Sequence, residues 1–112
     1  MLNPVRQLDP QAVWNFFEDI NEIPRPSKKE EKISAFMVAF GHSLNLRTEQ
    51  DAVGNVMIWK PASPGMENKP TVILQSHLDM VHQKNADTVF DFATQGIQSY
   101  IDGEWVKAKG TT

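Results

Sequence analysis

Two prolines one residue apart, Pro24 and Pro26, divide the first 44 residues into two helical segments that cannot be joined. A residue preceding proline is pushed out of the helical region, and a proline inside a helix removes a hydrogen bond and clashes with the turn before it. Upstream of this break, Val13, Phe16, Phe17 and Ile20 fall at i, i+3, i+4 and i+7. That spacing predicts an amphipathic helix, with Asp9 as its N-cap and Pro10 in its first turn. Downstream, Ser27 with Glu30 three residues on reads as a capping box. It predicts a second helix starting at Ser27, whose apolar face is Ile33, Phe36, Met37, Phe40 and Leu44, with Gly41 loosening its last turn.

From Leu46 the period changes from helical to alternating. Leu46–Glu49 and Val56–Lys60 read as strands on either side of a turn, Asp51–Asn55, in which Gly54 supplies positive φ. Pro61–Pro70 is a loop by composition and leads into Thr71-Val72-Ile73-Leu74-Gln75, an apolar run of the kind found in a strand covered on both faces. This run is the expected central strand. Ile97–Ile101 and Glu104–Val106 form a second expected hairpin, turning at Asp102-Gly103. Helices followed by strands, one of them buried, predict an α/β arrangement: a mixed sheet flanked by helices.

A hydrophobic fraction of 40% over 112 residues is enough to bury a core, which excludes a disordered tail. Eleven basic against fourteen acidic residues leave a net charge of −3, which gives no electrostatic support for a nucleic-acid or anionic-membrane partner. No cysteine is present, so disulfide scaffolds, thiolate metal sites and cysteine nucleophiles are excluded together, and any metal must be held by His, Asp or Glu. The N-terminal stretch Met1–Pro10 carries no apolar signal core, and no apolar run approaches a membrane span. A soluble cytoplasmic protein is expected.

The segment Gln75-Ser76-His77-Leu78-Asp79-Met80-Val81 carries the chemistry. It follows the expected central strand, and ligands in open α/β sheets gather beyond the carboxyl ends of strands. In extended backbone, residues i and i+2 face the same side, which would let His77 bind zinc while Asp79 fixes its tautomer and orientation. Taken alone, His-x-Asp reads more readily as a strand-end histidine capped by an acid, and one histidine does not make a metal site. His82 reads as a loop histidine, and His42 as a cation near a helix C-terminus. Ser76 beside His77 has no third triad member, and Gly54 and Gly103 lie in separate turns that make no phosphate loop. Trp14, Trp59 and Trp105 read as core or interface aromatics.

The collinear segments Ile23-Pro24-Arg25-Pro26-Ser27 with Glu30, Asp51-Ala52-Val53-Gly54-Asn55, Ser76-His77-Leu78-Asp79-Met80-Val81, Asp102-Gly103 and Ala108-Lys109-Gly110-Thr111-Thr112 resemble the aminoacyl-histidine dipeptidases. These are also known as cytosolic nonspecific dipeptidases or peptidase D, and belong to a clan of dinuclear zinc aminoacylases and carboxypeptidases. The resemblance implies a two-domain, homodimeric enzyme that hydrolyses Xaa-His and other dipeptides, with two zinc ions for which manganese or cobalt could substitute. Residues 1–112 would be the opening of its catalytic domain, without the lid and dimerisation domain. By carry-over, His77 is the terminal ligand of one zinc and Asp79 the catalytic acid that clamps its imidazole. The bridging aspartate, the general-base glutamate and the other ligands would lie beyond Thr112, so the chain alone is expected to be inactive. A related aminoacylase, deacetylase or tripeptidase is the nearest alternative, and a self-contained non-catalytic domain the alternative from a different class.

Overall fold

The computed structural model describes residues 3–112; Met1 and Leu2, where the N-terminal stretch read above begins, lie outside the described residues. Two compact units are present, Met1–Ile33 with Asp79–Thr112, and Ser34–Leu78. The elements in chain order are a 3-10 turn at Pro4–Gln7, helices α1 (Gln11–Asn21) and α2 (Glu31–Ser43), and strands β1 (Arg47–Gln50), β2 (Val56–Trp59), β3 (Ser99–Asp102) and β4 (Trp105–Ala108). Among the described residues no helix is long and apolar enough to cross a membrane.

In the first unit the 3-10 turn, α1 and the β3–β4 hairpin meet around a polar knot. Glu18 of α1 is 2% exposed. Its carboxylate accepts hydrogen bonds from Asn3 Nδ2 (2.7 Å) and from the Ser99 hydroxyl. Arg6 clasps the same helix from outside, pairing with Asp19 and Glu22 at 2.7 Å each. A buried carboxylate persists only with such partners. Val5 is buried beside this knot, so the turn and α1 share polar and apolar contacts.

Two expectations for α1 need correction. Asp9 does not cap the helix. Pro10, extended at ψ 124°, occupies the cap position, and its carbonyl starts the ladder by accepting from Val13 and Trp14. The expected core face is also largely uncovered, Val13 being 59% and Phe16 53% exposed. The face bearing Glu18 and Asn21 is buried instead, because hydrogen bonds to Asn3, Ser99 and Ile97 hold that side inward. Val13, Trp14 and Phe17 line a cavity of about 600 Å³ with Ile101 and Trp105.

The β3–β4 hairpin pairs Ser99 with Ala108 and Asp102 with Trp105, so its two-residue turn is Gly103-Glu104, one residue later than expected. Gly103 has φ +59°, and positive φ at the first central residue is the signature of a type II′ turn.

In the second unit α2 runs through Gly41 to Ser43, where the glycine was expected to loosen it. A Cβ at position 41 would lie 2.1 Å from the Thr48 hydroxyl, so the glycine leaves the room that β1 needs against the helix. The helix stops in a Schellman motif: Asn45 takes φ +55°, Leu46 N donates to Gly41 O, and Asn45 N to His42 O. β1 and β2 pair antiparallel from Arg47↔Trp59 to Gln50↔Val56, and the Arg47 guanidinium sits 4.2 Å over the Trp59 ring. Their turn is built on Asp51, whose carboxylate accepts from Val53 N, Asn55 N and Asn55 Nδ2, with Gly54 at φ +96°.

The expected central strand is the main correction to the fold. Thr71–Gln75 forms no strand, and Val72, Ile73 and Leu74 are 79%, 86% and 92% exposed. A strand requires a neighbour to satisfy its backbone, and neither two-stranded sheet of the described residues includes this segment.

Candidate functional site

Ser27 was expected to begin α2. The backbone forbids this, because Lys28 takes φ +71°, in the left-handed region, and the helix starts only at Glu31. Glu30 Oε1 accepts from Lys28 N at 2.7 Å in place of the expected capping box. The Ser27 hydroxyl is thereby turned to other work. It donates to Asp79 Oδ2 at 2.5 Å and also approaches Met80 O at 3.3 Å.

This contact belongs to a short parallel bridge between Pro26 and Met80. Met80 N donates to Arg25 O (2.9 Å) and Ser27 N donates to Met80 O (3.1 Å). Pro24 and Pro26 suit this role, since prolines favour the extended conformation that such pairing needs. Arg25 between them folds back onto the end of α1, donating to Ile20 O (3.2 Å) and Asn21 Oδ1 (3.1 Å). Burial lowers the pKa of its guanidinium from the ordinary value, and the nearby Asp79 carboxylate acts in the opposite sense. Arginine stays charged under such a shift. Asp79 therefore has a hydroxyl donor and the Arg25 guanidinium in its surroundings.

A third segment joins the first two. Thr112 Oγ1 donates to Val81 O (2.7 Å) and accepts from Gln83 N (3.1 Å), and Lys84 bridges antiparallel to Thr111. The Pro-Arg-Pro-Ser segment, the Asp79–Val81 segment and the terminal Thr111-Thr112 are thus gathered in one unit although they are far apart in sequence. His82 packs edge-on to Phe92, with ring centroids 5.7 Å apart, which explains it as a packing residue. The Asp51–Asn55 segment is accounted for by its own turn.

His77 lies in the other unit, solvent-exposed in the irregular segment before Leu78. His42 sits in the last turn of α2. Among the described residues no three His, Asp or Glu side chains gather in a way that could hold a metal ion. The donors among the described residues therefore do not by themselves fit a dinuclear zinc centre. Spacing alone pointed to His77 and Asp79. It missed Ser27 and Arg25, whose contacts with Asp79, Ile20 and Asn21 depend on the left-handed Lys28 and on a pairing across the fold that no local pattern marks.

No protein-family model matches the chain. The cytosol non-specific dipeptidase of Escherichia coli (strain K12) is 51% identical over 111 residues, 99% of this chain and 23% of that protein. Along nearly its whole length the chain is similar to one part of that dipeptidase. The crystal structure of the aminoacylhistidine dipeptidase from Vibrio alginolyticus superposes on 95% of the chain at 51% identity, with a TM-score of 0.91. The mixture of helices and small antiparallel hairpins thus agrees with an α/β assignment. The chain spans less than a quarter of either dipeptidase, 23% of the first and 22% of the second.

Proposed function

We propose that this chain is the N-terminal part of the catalytic domain of a zinc-dependent cytoplasmic dipeptidase that hydrolyses Xaa-His and other dipeptides. The observation that supports this most strongly is 51% identity along nearly the whole chain to a protein named as a dipeptidase. Within that enzyme His77 is a metal ligand, and Asp79 the carboxylate that supports it. The remaining ligands and the general base come from residues outside this chain, as does the lid that would also make the homodimer contact. Manganese or cobalt could replace zinc in such a donor set. What the chain itself contributes is placement: Ser27, Arg25 and the Pro26–Met80 bridge hold Asp79 in a defined position, and Thr112 ties down the backbone that follows.

The test compares two purified proteins on an Xaa-His dipeptide. The full-length parent is expected to turn it over and to lose activity when metal is stripped. Residues 1–112 alone are expected to show no turnover with added zinc, because one ligand leaves the centre unformed. Zinc-dependent turnover by the short chain, or none by the full-length protein, contradicts the proposal.

A further inference from the structure

We propose that Ser27 is a positioning residue for Asp79, its hydroxyl fixing the orientation of that carboxylate while the neighbouring pairing with Met80 fixes its backbone. The inference rests on the dipeptidase reading and on Asp79 being one of the enzyme's working carboxylates.

Three observations carry it. The Ser27 hydroxyl donates to Asp79 Oδ2 at 2.5 Å across 52 residues of sequence, so the contact is made by the fold and not by chain proximity. The backbone on both sides is pinned, because Arg25 O and Ser27 N bracket Met80 with hydrogen bonds of 2.9 and 3.1 Å. Donor and acceptor are thus each held within one residue of a fixed point. Finally, the positive φ of Lys28 denies Ser27 the capping role its sequence context suggests, which frees the hydroxyl for Asp79.

The chemical consequence follows from carboxylate geometry. An ionised carboxylate has two oxygens and roughly four acceptor sites. A hydroxyl locked onto Oδ2 selects one rotamer of the carboxylate and so fixes the direction of both oxygens. Arg25, held by Ile20 O and Asn21 Oδ1, is fixed beside the same segment. Groups that orient a working side chain in this way are typically worth about 10–100-fold in activity.

The test is a double-mutant cycle in the full-length protein, with kcat and KM measured on an Xaa-His dipeptide. Ser27→Ala is expected to lower kcat by about 10–100-fold, with KM within about threefold of wild type. In an Asp79→Asn background the same change should cost less than about twofold, because the charge it orients is gone. Ser27→Thr, which keeps the hydroxyl, should recover most of the kcat. Amide exchange at Met80 should stay within roughly threefold of wild type, since the bridge itself is backbone.

Equal losses in both backgrounds, no rescue by threonine, or faster Met80 exchange in step with lost kcat would overturn the inference in favour of a merely structural serine. If Ser27→Ala does not fold, Ser27→Thr against Ser27→Val puts the same question with matched shapes, and equal kcat in that pair overturns the inference. A wild-type Ser27→Ala beside a crippled Asp79→Asn sinks this inference alone, whereas a wild-type Asp79→Asn sinks the underlying reading of Asp79 as well.

Discussion

His77→Ala in the full-length protein is expected to abolish nearly all dipeptide hydrolysis and to weaken the binding of one metal ion. The chain has three histidines. His82 is engaged with Phe92, and His42 lies in the last turn of α2, which leaves His77 as the imidazole directly beside the Asp79 segment in sequence. A neutral imidazole contributes a full coordination bond, and the aspartates and glutamates of the chain form no cluster that could replace it among the described residues. The loss should therefore exceed the roughly 10–100-fold that follows when only a supporting group is removed. Metal analysis beside kcat checks this, and two tightly held metals with normal turnover would show that His77 is not a ligand.

Gly96→Ala should have the largest effect on folding. An alanine Cβ at this position would lie 2.4 Å from Glu22 O, 2.5 Å from Glu22 C and 2.6 Å from Asn21 O. These are backbone atoms at the end of α1, so no rotamer change can make room. The same place carries the 2.7 Å hydrogen bond from Ile97 N to Asn21 O, which ties the approach to β3 onto the helix. The chain must separate there, and the cost belongs at the upper end of single substitutions, about 4 kcal/mol. Gly103→Ala is the control. It meets nothing within 4 Å and bears only the strain of φ +59°, about 1–2 kcal/mol. Denaturant unfolding of both variants decides the matter, and equal midpoints would contradict the close packing at Gly96.

Much of the fold was legible because it is local. Helical spacing located α1 and α2, alternation located the two hairpins, and Gly54 and Gly103 marked positions that take positive φ. The errors arose where distant residues decide the outcome. Val13 and Phe16 have the periodicity of a core face, but the hydrogen bonds that pull Glu18 inward come from Asn3 and Ser99, which no local pattern reveals. Val72-Ile73-Leu74 was expected to be a covered strand and is exposed instead, because an apolar run does not specify which segment would cover it.

The candidate site divides in the same way. His77 and Asp79 announce themselves by spacing and by the apolar run before them. Ser27 and Arg25 do not, because a serine followed by glutamate at the third position is also a helix start, and only the left-handed Lys28 settles between the two. The collinear segments that carried the family resemblance turn out to be of two kinds. Asp51–Asn55 builds a turn, whereas 25–27 and 79–80 are joined by the Pro26–Met80 bridge and the Ser27–Asp79 contact, and 111–112 are tied to Val81 and Lys84.

The central claim, that this chain supplies one ligand and a supporting carboxylate to a metal centre completed elsewhere, is tested most directly by zinc stoichiometry beside kcat for Asp79→Asn in the full-length protein. The substitution keeps shape and one acceptor oxygen but removes the charge that makes an imidazole a better donor. At saturating zinc the variant should still hold two metals per subunit while kcat falls by about 10–100-fold. Outright loss of one zinc would make Asp79 a ligand, and unchanged kcat would reduce it to a structural acid held by Ser27.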